Sequence, residues 1–331
     1  MTSLTPEMLR ALVTEAQLAP SIHNIQPTRW RALPDNRLML IDDMSVRASC
    51  ADPTGHDVRL SHGAALEGMS VALNRRGMAL VDLVIAEDRL SAQYVSLCTM
   101  TTAPSVASDP LLPSVLRRMS WRSTFASSPN DDVSFEKLGA AREDIICIRD
   151  RSAISKVADW AHQADLSFLR RADFRSELLE WMRLSTRHPL YQQSGLNREA
   201  LAMNALEAVG AGLVLGALFA SLDRIGLVSS LVSDRAKTLS AAGVVLFFRP
   251  RGEDPLITGR HFYRAWLEID RAGFAACPIS ALADHPGFNE KLVKLGQVHN
   301  DMRLVNVFRI GRPAQSRSQR HFRLPVDRII V

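Results

Sequence analysis

The chain has 331 residues, long for one compact core and suited to two packed units. Apolar residues make up 47% and charged residues 23%, an ordinary globular composition. The net charge of +5 comes from arginine more than lysine, a bias that suits oxyanions; no basic run with interleaved aromatics would track a nucleic-acid backbone, so nucleic acid is not an expected partner.

In chain order, Thr5, Pro6 and Glu7 open a first helix whose Leu9, Leu12, Val13 and Ala16 share one face. It stops at Ala19-Pro20. Trp30 to Leu33 and Leu38 to Ile41, joined by the turn residues Pro34-Asp35-Asn36, predict a β-hairpin. Ala64 to Leu73 predicts a second helix running to Arg75-Arg76, with Gly77 as its left-handed stop. Strands are expected at Leu80 to Ile85 and Tyr94 to Met100, and the Pro/Ser/Thr-rich stretch Thr101 to Pro113 marks a boundary between halves 1–108 and 109–331.

Beyond it the pattern gives a strand at Ile145 to Ile148, helices at Ala153 to Leu169 and Glu177 to Met182, and one long helix over Ala202 to Leu222. The most apolar stretch, Val209 to Leu222, is too short to cross a bilayer and is expected as a buried core helix, so no membrane span is expected. A β-rich run at Gly243 to Phe248, a helix from Arg260 to Arg271 ended by Gly273, and a strand at Leu304 to Ile310 complete the chain. The helix stops Arg76-Gly77-Met78-Ala79 and Ala272-Gly273-Phe274-Ala275 echo each other weakly.

Cys50, Cys98, Cys147 and Cys277 lack Cys-x-x-Cys spacing, which suggests neither a zinc site nor a disulfide framework and fits a reducing compartment. The first residues do not read as a signal peptide, so a cytoplasmic location is expected. Dinucleotide, phosphate-loop, His-Glu-x-x-His and Gly-x-Ser-x-Gly motifs are all missing.

Two clusters carry chemistry. Ser21-Ile22-His23-Asn24-Ile25-Gln26 sits at a helix exit, and the Asn24 and Gln26 amides offer both donors and acceptors; on composition alone a capped turn that satisfies itself is the preferred reading. A lone histidine there is more often structural than a proton donor, so no catalytic role follows for His23 from spacing. Arg117-Arg118-Met119-Ser120-Trp121-Arg122-Ser123-Thr124-Phe125 has the composition of a phosphate site, or alone of a solvated basic surface. A third basic region, Arg309, Arg312, Arg317, Arg320 and Arg323, either closes the same site or is a basic tail.

In this order the clusters resemble the nitroreductase superfamily, in particular its long, fused Acg-like branch. Ala19-Pro20-Ser21-Ile22-His23-Asn24-Ile25-Gln26-Pro27 is similar to that family's Ala-Pro-Ser-x-His-Asn-x-Gln-Pro-Trp segment. Asp52-Pro53-Thr54-Gly55 with Gly63-Ala64-Ala65-Leu66, the mid-chain Arg117 to Phe125 stretch, and Arg323-Leu324-Pro325-Val326-Asp327 also look like family motifs. The resemblance implies an α+β nitroreductase-like fold: two fused halves forming a pseudo-dimer, each a mixed sheet flanked by helices. It also implies one flavin mononucleotide (FMN) held by Ser21, His23, Asn24 and Gln26 from one half and Arg118, Met119, Ser120, Arg122 and Arg323 from the other, with Leu184 to Leu201 as a lid. NAD(P)H would be the electron donor and a nitro compound or quinone the acceptor, in a monomeric pseudo-dimer or a homodimer; a flavin-sequestering protein without turnover is the alternative. Thr28 in place of the family's tryptophan, Met119 and Trp121 within the arginine motif, and Leu324 in place of a second arginine depart from the pattern. The second half has no counterpart of Ser21 to Pro27, so one site per chain is expected.

Overall fold

The computed structural model describes residues 4–107, 109–316 and 320–331. In chain order, helix α1 (Pro6–Ala16) leads to the hairpin β1 (Thr28–Leu33) and β2 (Arg37–Asp43), the long helix α2 (His56–Asn74), and strands β3 (Met78–Arg89) and β4 (Tyr94–Pro104). After α3 (Leu112–Arg117) and β5 (Phe125–Ala126) come α4 (Asp131–Ala141) and β6 (Ile145–Ile148). A helical insertion follows, with α5 (Arg151–Arg170), α6 (Ala172–Trp181), β7 (Met182–Arg183), β8 (Leu196–Asn197), α7 (Ala205–Leu215), α8 (Phe219–Arg224), α9 (Val228–Leu231) and α10 (Arg235–Leu239). The chain closes with β9 (Gly243–Pro250), α11 (Pro255–Arg271), β10 (Ala275–Pro278), α12 (Ser280–Asp284), α13 (Pro286–Leu295) and β11 (Met302–Pro313).

The expected start of α1 is borne out: the Thr5 side chain accepts from the Met8 N–H and Pro6 opens the helix. The hairpin is antiparallel with Trp30 opposite Leu40. Helices α2 and α11 both begin earlier than the pattern suggested, at His56 and Pro255, because their first turns are half-polar and carry little periodic signal. Both end as expected, with Gly77 at φ 68° and Gly273 at φ 91°, backbone that side-chain-bearing residues rarely adopt.

Among the described residues a four-stranded sheet, ordered β1-β2-β4-β3, and a five-stranded sheet, ordered β6-β9-β11-β10 with β5 attached to β11, result beside the small β7-β8 pair. In each of the two larger sheets, a long helix (α2 or α11) leads directly into the strand at one edge (β3 or β10). Their ladders are antiparallel, and each sheet becomes mixed through one parallel bridge, Trp30 with Ile330 and Ser120 with Ala276. Helices cover the sheets, so the fold is α+β as expected. Leu111 and Val115 pack in the first core with α1 and α2, whereas Trp121 and Phe125 pack with Ala241 and Ala275. The connecting stretch therefore ties both sheets together, and its first residues, Thr101–Pro104, still belong to β4 rather than to a loop.

Helices α2 and α11 pack against each other through glycine. A Cβ on Gly63 would overlap the Leu256 carbonyl, and a Cβ on Gly259 the Leu60 carbonyl. Tyr263 and Leu267 of α11 accordingly lie inside the core built from α1, α2 and the first sheet.

One expectation fails. The segment Ala202 to Leu222 is not a single buried helix: α7 stops at Gly216, whose backbone leaves the helical region, and α8 begins at Phe219. Leu206, Val209 and Leu213 are 82%, 62% and 50% exposed. Only Ala208 and Leu215 of α7 are buried, so a run of apolar letters without helical periodicity said nothing about burial. Among the described residues, no helix is long and apolar enough to cross a membrane.

Two substitution types separate these situations in urea unfolding. Gly63→Ala and Gly259→Ala should each cost about 2 kcal/mol or more, because backbone must move apart. Val209→Glu and Leu213→Lys should change stability by less than about 0.5 kcal/mol; a loss of several kcal/mol would mean that the α7 face is covered.

Candidate functional site

The site begins where α1 ends. The carbonyls of Gln17, Leu18 and Ala19 have no further helical turn to bond, and the chain turns sharply after Pro20. His23, Asn24 and Gln26 take φ of 42°, 55° and 56°, left-handed backbone at three non-glycine positions within four residues, each costing on the order of 1 kcal/mol. Local bonds hold the turn. Ser21 Oγ accepts from the Gln26 N–H at 3.0 Å, Ser61 Oγ accepts from the Ile22 N–H at 3.1 Å, and Ser61 itself donates to the Asp57 carbonyl at 2.7 Å. Thus α2 fixes the turn as firmly as the turn fixes itself.

The amides of this turn reach across the molecule. Asn24 donates to the carbonyls of Gly195 (3.2 Å) and Phe322 (3.1 Å) and accepts from Arg323 Nη1 at 3.1 Å. Gln26 donates to the Gln193 carbonyl at 2.7 Å and accepts from the Leu324 N–H at 2.9 Å. Arg118 and Arg323 converge on one acceptor, the Leu18 carbonyl, at 2.7 and 2.9 Å, and Arg323 also reaches Gln17. Arg118 lies over the rings of Trp266 (4.6 Å) and Tyr263 (5.4 Å) of α11.

Ser21, Asn24, Gln26, Arg118 and Arg323 therefore come together. Arg122 is bonded to the Ala200 carbonyl at 2.8 Å, and its charge faces His23, as does that of Glu177. Met119 is half-buried, and Ser120 sits in the stretch that pairs with Ala276. The other arginines of the basic regions go elsewhere: Arg117 to Asp270, Arg309 to Asp234, Arg312 to Asp131 and Arg320 to Glu199. Arg317 lies outside the described residues. Nothing in the residue pattern points to Tyr263 and Trp266, aromatic residues on an amphipathic helix, or to the Gln193, Gly195, Ala200 and Phe322 carbonyls. Backbone acceptors have no signature in a sequence.

Burial lowers Arg118, and burial together with repulsion from Arg118 pushes Arg323 down to about 9. Neither forms an ion pair among the described residues, and Arg118 Nε is buried without a partner. His321, half-buried, is pushed down to about 4 by its loss of solvent and by the charges of both arginines, against the opposing bond to the Leu116 carbonyl. Part of the compensation comes from Tyr263, which opposes the burial of both arginines, and from the Asp270 charge facing Arg118, and part from the C-terminal end of α1, worth about half a negative charge. A buried and a half-buried guanidinium group with no ion pair of their own among the described residues leave a local cationic surplus, which fits a phosphate monoester. The adjoining cavity of about 30 Å³, lined by Gln17, Ser21, Gln26, Thr28 and Ser61 among others, has room for a water or two. A larger planar guest would have to displace the carbonyls of Gln193 and Gly195. Among the described residues no cluster of His, Cys, Asp and Glu could hold a metal ion.

No protein-family model matches the chain. Two curated proteins of Mycobacterium tuberculosis, "Putative NAD(P)H nitroreductase Rv3131" of strain H37Rv and "Putative NAD(P)H nitroreductase MT3217" of strain CDC 1551 / Oshkosh, are each 29% identical to it over 178 residues. The match covers 53% of this chain and 51% of theirs, so the chain spans about half the length of the curated relatives it matches. The chain is thus similar to proteins that carry the name its motifs led to expect. Among solved structures, an FMN and NADPH-dependent nitroreductase from sphigopyxis sp. strain HMH aligns at 14% identity and TM-score 0.37, covering 67% of this chain and 98% of its own. An iodotyrosine deiodinase bound to FMN and 3-iodo-L-tyrosine aligns at 13% and 0.36, covering 65% and 94%. Scores at that level leave the fold to be judged on the topology described above.

Burial pushes His23 down to about 4 from the usual 6.5, with the Glu177 charge opposing and Arg122 assisting. The unfolded chain therefore binds a proton that the folded chain refuses between those values. Stability tied to neutral His23 is fully present above pH 6.5 and falls as pH drops toward 4, by at most about 3 kcal/mol. His321 acts in the same window. In urea midpoints measured from pH 7 to 4, His23→Gln should flatten the loss by about one proton's worth of slope; an unchanged slope would mean that His23 is solvated.

Proposed function

We propose that the chain is an FMN-dependent oxidoreductase of nitroreductase type, passing electrons from NAD(P)H to a small acceptor such as a nitro compound or quinone. One observation carries this reading: the buried Arg118 and the half-buried Arg323, neither in an ion pair among the described residues, converge on the Leu18 carbonyl beside the Asn24 and Gln26 amides at the exit of α1. The halves are 1–108 and 109–331. Their matching strand orders, the reciprocal glycine contact and the similar helix ends support a fused pseudo-dimer, working as a monomer or as a homodimer. The partner is a small molecule and no nucleic acid. The four unpaired cysteines agree with a cytoplasmic protein.

Bound FMN would supply the two-electron chemistry itself. The chain's residues position it. Arg118 and Arg323, with Arg122 and Ser120 beside them, take the phosphate end, and exchanging a carbonyl partner for an anion relieves their burial. Ser21, Asn24 and Gln26 take ring edge or ribityl hydroxyls, with His23 and Met119 packed alongside. For this the bonds from Asn24 and Gln26 to Gly195 and Gln193 must open, so segment 184–201 covers the site.

A second reading, a protein that sequesters FMN without turnover, is favoured by those same bonds and by the Arg122 bond to Ala200.

Protein purified without added cofactor should show the visible absorbance of a flavin, bleached by NADPH or NADH under anaerobic conditions. Arg118→Ala and Arg323→Ala should each weaken FMN binding about 30-fold or more, the worth of a charge-assisted bond to phosphate. Flavin that stays oxidised with both nicotinamides, yet is reduced or released faster once 184–201 is deleted, would decide for sequestration. Failure to bind FMN at all would remove both readings.

A further inference from the structure

Helix α7 is firmly specified by its own sequence, yet no other part of the described chain covers its outer face. The Asn204 and Glu207 side chains close a capping box at its start, and Glu207 is the one charged residue within it. Leu215 enters a small core with Phe219 of α8 and Val228 of α9, and Ala208 turns the same way. Leu206, Val209 and Leu213, spaced i, i+3, i+7, form a stripe on the opposite side. A helix apolar on both sides is ordinarily buried, but this stripe stands in solvent, as do Leu218, Ile225, Leu227 and Leu231 at α8 and α9.

We propose that this face docks a second copy of the chain, with α7 crossing its own copy about a two-fold axis. The inference does not depend on flavin chemistry, and of monomer and homodimer it selects the homodimer. The seven side chains are 45% to 82% exposed and together leave on the order of 800 Å² in water, which is what a standard interface takes from each partner. A monomer rarely carries more than a few hundred Å² of apolar surface in one place. Gly210, one turn from Leu206 and from Leu213, has open space where a Cβ would stand, a hollow for a leucine of the copy.

Charge chooses between occupants. From Asn204 to Val232 the charged residues are Glu207, Asp223 and Arg224. Asp223 is paired with Arg170 at 3.1 Å, which leaves one acid and one base, neither in an ion pair among the described residues. A lipid headgroup surface calls for an excess of lysine or arginine beside the apolar face, whereas this segment holds two acids against one arginine. In a two-fold contact each pairing occurs twice. Antiparallel α7 helices carry Glu207 of each copy to the end of the other where α8 follows, and α8, about 9 Å long, keeps its Arg224 within reach. The acid of one copy thus finds the base of the other on both sides of the axis, a match that a partner of unrelated sequence has no reason to provide.

Sedimentation equilibrium of the purified chain, over about 0.1 to 100 μM, tests the face. Wild type should pass from 36.6 kDa to twice that mass as concentration rises. Val209→Glu and Leu213→Lys should each weaken association at least about 30-fold, with the urea stability of the dilute monomer unchanged because both side chains then stand in solvent. Arg224→Glu and Glu207→Lys, each alone, set like charges opposite and should weaken association about 10-fold; mixed in equal amounts they should associate as well as wild type, since both contacts of the mixed pair match. If loss of the capping box disturbs α7 in Glu207→Lys, the comparison of Val209→Glu with wild type still decides. A mixture of folded variants no better than its components would refute the two-fold arrangement, and a dimer indifferent to all four substitutions would place the interface elsewhere. A chain that stays monomeric overturns the inference: flotation with phosphatidylcholine–phosphatidylglycerol vesicles would then give the face to a membrane, and no flotation would give it to a different protein.

Discussion

Gly63 of α2 and Gly259 of α11 lie against each other's backbones, and the rest of the arrangement depends on that approach. With side chains at these positions the helices would stand further apart, and Tyr263 and Leu267 could not enter the core around α1. Arg118 rests on the Tyr263 and Trp266 rings while its outer nitrogen holds the last turn of α1. A site built from residues of both sheets is therefore placed by a helix contact that none of its polar members makes.

The same construction explains why the site is electrostatically unfinished. Arg118 and Arg323 are forced to share one carbonyl because the chain after β11 returns to pair Ile330 with Trp30, carrying Arg323 to the exit of α1. The charge of a helix end balances them only in part. His321 is driven neutral beside them, and Asn24 is occupied on both sides of its amide. Polar groups this well bonded to one another give a rigid frame.

Strain runs alongside the charge. Left-handed backbone at His23, Asn24 and Gln26 persists because Ser21, Ser61 and Arg29 brace the turn; Arg29 donates to the Gln26 carbonyl at 2.8 Å and is paired with Asp43. Segment 184–201 is held differently, by the pairing of β8 with β7 just before it and by its backbone carbonyls, which accept from Asn24, Gln26 and Arg122. Such contacts are exchangeable in a way that packed cores are not.

Local chemistry in the sequence settled the capped start of α1, the Pro-Asp-Asn hairpin and the glycine stops after α2 and α11, because each depends on residues a few positions apart. The order of motifs also picked out Asn24, Gln26, Arg118 and Arg323 as members of one site. Tertiary structure alone decided that α7 exposes Leu206, Val209 and Leu213, that Arg309 and Arg312 turn to other partners, and that Thr28 meets His62 and Asp42. Burial and pairing between distant residues depend on how two sheets are brought together by a helix crossing, and hydropathy along the chain carries no record of that distance.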